Sequence, residues 1–390
     1  MEPHPLAVWL RRAAVILVAV VTAAWAIGVW IVSSMVERDW LTPRDEEPEY
    51  NVEVATVGNG SIVLSRTPLT EREGVWGLAS ADAYGQVSAI IERREDVVER
   101  AFRPLEGELR PGERVRFDQY AFAGDPLRAH GIAFEEVRVA GDLGAYPAWM
   151  IEGDRDTWVI LVHGLGVAER RQALRVIPSL WEAGFSMLVV TFRNDEGAPA
   201  APDGRYAWGR SEWRDIAAAA RFAQLQGAEE LVVYGFDMGA EVAATFLHES
   251  ELVADTVGLV LDSPVLDLEA AVDQSMTDRG VPGLVLGGGK TVTTLRFDVD
   301  WRRLDQVERA AEFDVPVLLM HGSADQRVPV ASSDAFAAAR PDLVRYERFE
   351  GADHLFLWNE NPVRYETAVT EFLNRVAAPS AERTAAPTGG

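Results

Sequence analysis

The sequence predicts a doubly wound α/β protein: a mostly parallel sheet with helices on both faces, preceded by an apolar helix and a β-rich extension. Three observations predict it. From residue 157 onward, short continuous apolar runs alternate with helical stretches, as buried parallel strands and their crossover helices do. Residues 51–130 carry short segments punctuated by turns instead. The chain opens with a stretch between Arg12 and Glu37 that holds no charge.

Composition narrows the function classes. The 390 residues are 48% hydrophobic and 25% charged, enough for a large buried core and unlike a disordered chain. Acidic residues outnumber basic ones 61 to 37, a net charge of -24. Such a surface repels phosphate backbones, which excludes a nucleic-acid partner. With no cysteine, disulfides, Cys-ligated metals and a cysteine nucleophile are excluded.

Residues 1–36 read as a cytoplasmic tail and transmembrane anchor. Ala13 to Val32 is apolar except for Thr22, and ~20 apolar residues cross a hydrocarbon core. Trp9 precedes the run, and Trp30 and Trp40 lie at its far end, where interfacial anchors sit. Ala24-Trp25-Ala26 resembles a signal-cleavage site, but the apolar run continues past it, too far for a signal-peptide core. An uncleaved signal-anchor is therefore expected at the cell membrane. Arg11 and Arg12 favour a cytoplasmic N-terminus, with the globular part outside.

Residues 37–50 form an expected linker containing the acidic run Pro43 to Glu49. Residues 51–132 are the β-rich extension. Gly58-Asn59-Gly60 marks a hairpin between VEVATV and SIVLSR, whereas VSAIIERREDVVERAF has mixed periodicity and no assignment. Residues 133–378 form the α/β domain. An antiparallel pair (FEEVRVA, AYPAWMIEG) leads into the strand ending at Gly164. A helix over 168–183 follows, then strand 186–192, a helix over 212–225 and strand 230–235. A helix from Met238 and strand 257–262 precede a strandless insertion, about 263–314, expected to act as a lid. Strand 315–322, a helix near 332–340, strand 343–349 and a helix over 362–377 complete the series. Residues 379–390, rich in Pro, Ala, Ser and Gly, are expected to be disordered.

Three loops carry chemistry, each directly after a strand, where sites form in open α/β sheets. Gly235-Phe236-Asp237-Met238-Gly239 has the spacing of a nucleophile elbow, Gly-x-Ser-x-Gly, with Asp237 in the serine position. Asp325 follows a later strand, and His354 follows the last one. The order nucleophile, acid, histidine is that of the α/β-hydrolases.

On these residues the chain resembles the α/β-hydrolase fold family over about 133–377. It is most similar to membrane-anchored bacterial members that carry an Arg-Asn-Asp-Glu-Gly-Ala-Pro segment, here Arg193 to Pro199. The resemblance implies Asp237, Asp325 and His354 as the catalytic residues, with the Leu165 and Met238 N–H groups as the oxyanion hole. It also implies an ester-like or other small apolar substrate and no cofactor. Haloalkane dehalogenases and epoxide hydrolases do use an elbow aspartate. The former follow it with a Trp, here Met238, and the latter supply lid tyrosines, of which 263–314 has none. Two readings stay open: a carboxylate nucleophile, or a non-catalytic binding or scaffold protein in which one Asp237 oxygen blocks the hole. The extension shows no propeller pattern that would argue for a peptidase.

Other motifs have plainer readings. His163 and His321 sit in His-Gly turns and are expected to be structural, as is His248 on its helix. Gly287-Gly288-Gly289-Lys290-Thr291 lacks the spacing of a phosphate-binding loop, since position 284 is Leu, and reads as a flexible lid turn. Asp195 and Glu196 lack further ligands for a metal, so none is expected. Asp298, Asp300 and Trp301 read as a solvated acidic turn with one packed Trp, and Asp353 as a turn residue.

Overall fold

The computed structural model describes residues 5–43, 49–166 and 169–378. The expected disordered tail, 379–390, and the middle of the expected linker lie outside them.

Helix α1 (Pro5–Val36) runs directly into a π-helical turn, Glu37–Leu41. The anticipated linker thus begins as helix. Val29, Val32, Val36 and Trp40 recur at helical spacing and are all buried, so one stripe of α1 docks on the domain. Toward its N-terminus the apolar side chains are exposed. The helix is long and apolar enough to cross a membrane.

Strands β1 (Val52–Val57), β2 (Ser61–Ser65), β3 (Trp76–Ala79), β4 (Tyr84–Arg93), β5 (Val97–Glu106) and β6 (Arg114–Asp118) close into a barrel, in the order β1-β2-β5-β4-β3-β6. The β1–β2 hairpin turns at Gly58–Gly60 as the sequence indicates. The unassigned stretch is the β4–β5 hairpin, whose register shifts near Val87 and Ile90 explain its irregular alternation.

After α2 (Pro126–His130), the antiparallel β7 (Glu135–Ala140) and β8 (Ala145–Ile151) start the main sheet. Strand β9 (Thr157–Val162) follows, then a 3₁₀ segment (Glu169–Arg175) and the short helix α3 (Ile177–Glu182). The single helix anticipated over 168–183 is therefore interrupted, and Pro178, which has no N–H to donate, falls in the first turn of α3. The chain continues through β10 (Ser186–Val190), α4 (Trp213–Leu225), β11 (Glu230–Phe236), α5 (Met238–Glu249) and β12 (Thr256–Asp262). Helices α6 (Leu268–Asp278) and α7 (Gly283–Phe297) fill the insertion. Strand β13 (Val317–Gly322), α8 (Val330–Ala339), β14 (Val344–Phe349), α9 (Leu357–Glu360) and α10 (Pro362–Val376) end the domain.

The eight strands order as β14-β13-β12-β11-β9-β10-β8-β7, parallel from β14 to β10. Alternate residues of β9 feed opposite cores. Trp158, Ile160 and Val162 pack with α4 and α5, while Val159 and Leu161 pack with α3 and α10. This two-sided burial is why the central strands read as unbroken apolar runs.

The Gly287–Gly289 triplet is not a lid turn. It lies inside α7, which packs along α1. A Cβ on Gly289 would come 2.3 Å from Val32 Cγ1, and one on Gly288 2.6 Å from Val29 Cγ2. Glycine is required there because the two helices approach too closely for any side chain.

Candidate active site

The elbow is set by backbone crowding. A Cβ at Gly235 would meet Ala240 Cα at 2.4 Å, and one at Gly239 would meet His163 O at 2.2 Å. The turn between β11 and α5 can therefore close only with glycine on either side. It leaves Asp237 at φ 48°, ψ -115°, a positive φ that non-glycine residues adopt rarely. The Asp237 N–H donates to Asp262 O at 2.9 Å, tying the turn to β12.

The structure brings Asp237, His354 and Asp325 together. Asp325 Oδ2 lies 2.7 Å from His354 Nδ1, and its Oδ1 accepts the Arg327 and Val328 N–H groups at 2.8 Å each. His354 Nε2 faces Asp237 Oδ1 at 3.3 Å. The two are close enough for charge attraction, but neither atom has a hydrogen bond of good geometry among the described residues. The other Asp237 oxygen, Oδ2, accepts the Leu165 N–H at 3.0 Å. The Leu165 loop is held in turn by Gln172, whose Oε1 accepts the Gly164 N–H at 2.8 Å. Met238, the other anticipated donor, is buried at the start of α5, and among the described residues its N–H makes no hydrogen bond to the carboxylate.

The charges follow from this geometry. Burial alone would raise the Asp237 carboxyl, but the His354 imidazolium, with help from Arg327 and the Leu165 N–H, brings it down to about 2. Burial would lower His354, yet Asp237 and Asp325 outweigh it and lift the imidazolium to about 9. Asp325, buried against His321 and His354, is held well below the ordinary carboxylate range. At neutral pH the resting site is a carboxylate–imidazolium–carboxylate row.

The remaining singled-out residues have structural roles. His321 donates through Nε2 to Asp325 Oδ2 (3.0 Å) and its Nδ1 lies 2.6 Å from Ser333 Oγ, which makes it a second imidazole on the acid. His163 pairs with buried Asp195 at 2.7 Å, and His248 with Gln306 at 2.9 Å. In the Arg193–Pro199 segment, Arg193 is clamped on Asp215 by its Nε (2.9 Å) and Nη2 (2.8 Å). Asp353 is more than a turn residue. It accepts the His354 N–H at 2.8 Å and pairs with Arg72 of the barrel at 3.2 Å. Asp298 pairs with Arg210, and Trp301 donates to Thr294 Oγ1 at 3.0 Å; neither lines the cavity. No group of residues suited to holding a metal occurs among the described residues.

Asp237 and His354 open into a cavity of about 980 Å³. Much of its wall comes from outside the α/β domain and was not anticipated. Trp40 and Asp39 come from the π-helical turn after α1, Trp76 and Arg116 from the barrel, and Tyr120 from the segment after it. Tyr206 also lines it, so tyrosines reach the cavity although none comes from the insertion. The barrel is pinned beside His354 by Trp76, whose ring meets Phe356 edge-on at 4.7 Å. Asn359 adds hydrogen bonds to Val75 O and Gln119 O at 2.8 and 2.7 Å.

Comparison with solved structures identifies the fold. An esterase of Pyrococcus furiosus, Pf2001, superposes with a TM-score of 0.52 at 22% identity, covering 65% of this chain and 95% of that one. A puromycin hydrolase superposes at 0.51 with 20% identity, over 83% of this chain and 53% of its own length. At these identities the likeness establishes the fold, which is that of the α/β-hydrolases. A search of curated proteins found no match. The barrel, residues 53–118, matches a domain of unknown function, DUF8805. The profile of the prolyl oligopeptidase family matches residues 174–380, just over half of the chain and the stretch that contains Asp237, Asp325 and His354: the chain belongs to the prolyl oligopeptidase family.

Proposed function

We propose that this is a membrane-anchored hydrolase that uses the Asp237 carboxylate as its nucleophile on small molecules. The observation that carries the reading is the division of labour between the two Asp237 oxygens. Oδ2 rests on the Leu165 N–H, while Oδ1 is turned toward His354 without an aligned hydrogen bond. In this reading Oδ1 displaces a leaving group at saturated carbon. A new O–C bond forms, the carbon–leaving-group bond breaks, and the leaving group departs with the electron pair.

The second half regenerates the enzyme. Alkylation removes the negative charge on Asp237, so the main partner raising the His354 pKa disappears and the ring can lose its proton. Neutral His354 then takes a proton from a water, whose oxygen attacks Asp237 Cγ, while Asp325 holds the ring. The oxyanion that forms is the former Oδ2, already seated on the Leu165 N–H. The C–O bond to Cγ breaks, and the product leaves as an alcohol after taking up a proton.

The alternative is a non-catalytic α/β-hydrolase-fold protein that binds or scaffolds at the membrane. The closed row of charges favours it, because a carboxylate and an imidazolium whose charges offset one another are stable without substrate. Anchoring through α1, with the globular part outside the cytoplasm, belongs to both readings and is supported by the length and apolarity of the helix.

The two readings part in an experiment with His354→Gln. Wild-type enzyme should hydrolyse members of a panel of bromobutane, styrene oxide and p-nitrophenyl butyrate, with the first two preferred. His354→Gln should stall after the first step and accumulate one alkyl adduct per chain on Asp237, visible in the intact mass. No turnover by the wild type and no adduct in the variant would favour the non-catalytic reading.

A further inference from the structure

We propose that helix α7 is a membrane wedge: it inserts beside α1 into the leaflet next to the globular domain, and seats the mouth of the cavity at the bilayer surface. The proposal rests on the reading of α1 as a membrane anchor.

The first argument is register. Helices α1 and α7 run side by side in the same direction. Trp25 donates through Nε1 to Leu284 O at 3.4 Å, Gly288 abuts Val29, and Gly289 abuts Val32. Lower down, the Arg296 guanidinium donates to Ser33 Oγ (3.0 Å), Ser34 Oγ (3.1 Å) and Glu37 Oε2 (2.9 Å). The start of α7 is thus level with Trp25 and its end with Glu37. Twelve residues separate those two, about 18 Å of helix. A hydrocarbon core of ~30 Å spans ~20 helical residues, which from Ala13 ends at Val32. Leu284 then lies on the order of 10 Å inside that boundary.

The second argument is chemistry, and it is independent of the first. From Gly280 to Gly289 no residue is charged. The two cations of α7 both turn back onto the protein: Lys290 to Glu269 (2.6 Å) and Asp273 (2.8 Å), Arg296 to the end of α1. Leu284 and Leu295 are left 78% and 80% exposed, next to the exposed apolar face of α1. The threonine hydroxyls are satisfied internally. Thr291 Oγ1 donates to Gly287 O at 3.0 Å and Thr293 Oγ1 to Gly289 O at 2.9 Å, the arrangement a helix needs where no water is available. A helix with outward leucines, inward charges and self-satisfied hydroxyls suits lipid better than water.

The consequence concerns access. Asp278 and Arg279, which lead into α7, line the cavity together with Asp39 and Trp40 in the π-helical turn after α1. Arg279 pairs with Asp39 at 2.6 Å, so this rim joins the wedge to the anchor. A cavity whose rim is so placed takes amphiphilic molecules that partition into the bilayer.

Because the chain has no cysteine, single labels test this directly. Leu284→Cys, Leu295→Cys, Val18→Cys and Leu225→Cys are each labelled with an environment-sensitive fluorophore in the full-length protein. The proteins are reconstituted in phosphatidylcholine–phosphatidylglycerol vesicles carrying doxyl-quencher lipids. Quenching is expected strongly at Val18 and Leu284, weakly at Leu295, and not at Leu225, which is exposed on α4. Quenching at Val18 without Leu284 would overturn the wedge and leave the anchor standing. Absence of quenching at Val18 would remove the anchor and the wedge together. Disulfide cross-linking of Leu284→Cys between two chains, in place of quenching, would show that this face binds a second copy, and would likewise overturn the proposal.

Discussion

Asp237 Oδ2 lies 3.0 Å from the Leu165 nitrogen, so the residue in the nucleophile position also occupies the anion-binding amide beside it. A serine at the same elbow would leave that amide free for the oxygen of a bound carbonyl. The aspartate instead fixes which of its own oxygens faces His354.

This relationship predicts the behaviour of Asp237→Ser. The turn is held by Gly235 and Gly239 and ordinarily carries serine, so the variant should fold, with a thermal midpoint lowered by the loss of the Asp237–His354 charge pair. The hydroxyl faces His354, itself oriented by Asp325 at 2.7 Å, and the vacated Leu165 N–H can bind a tetrahedral oxyanion. Labelling by a fluorophosphonate probe and hydrolysis of p-nitrophenyl butyrate should both appear, rising roughly a hundredfold or more over wild type, the usual weight of one hole donor. A well-folded variant that stays unlabelled would mean that the hole or His354 is misplaced.

The charge row predicts a pH dependence. His354 has a folded pKa of about 9, above its unfolded value of ~6.5. Its contribution to stability is therefore complete below about 6.5 and is lost as pH rises through about 9. Asp237, at about 2, contributes above ~3.9 and loses that contribution as pH falls through about 2. In Asp237→Asn the His354 pKa should fall toward ~6.5, by roughly one unit or more. An NMR titration of the His354 ring in both proteins reads this, and an unchanged value in the variant would contradict the pairing.

The junction between α1 and the domain gives a third prediction. Trp40 is 3% exposed, its ring centroid lies 5.6 Å from that of Trp208, and its carbonyl accepts the Trp208 indole N–H at 2.7 Å. Trp40→Ala should destabilise the domain by about 3–5 kcal/mol, as loss of a buried aromatic does. It should also enlarge the cavity that Trp40 lines. A thermal shift within a degree of wild type would show that α1 is not structurally coupled to the domain.

How much of this was legible in the sequence varies with the range of the forces involved. The parallel strands announced themselves because burial on both faces leaves unbroken apolar runs such as TWVILV. The elbow was legible from Gly235 and Gly239, whose spacing is dictated by local backbone contact. Helix α7 was not, because four glycines and three threonines are poor helix formers. It is held by α1, more than 200 residues away in sequence, and that contact outweighs local preference. The cavity wall was hidden for the same reason. Nothing near Trp40, Trp76 or Arg116 says that they converge on the cavity beside His354; barrel closure and the Trp76–Phe356 contact bring Trp76 and Arg116 there, and the contact with Trp208 brings Trp40. In the β4–β5 hairpin, register shifts disturb the period of two on which a strand reading depends.

The most direct test of the central claim follows oxygen. With enzyme in excess over bromobutane in heavy-oxygen water, a carboxylate nucleophile gives its own oxygen to the first alcohol formed and takes the replacement from solvent. The account predicts unlabelled butanol in the first turnover and one heavy oxygen in the peptide carrying Asp237, located on that side chain by fragmentation. Labelled butanol from the first turnover, with an unlabelled Asp237 peptide, would contradict it, since water would then have attacked the substrate directly.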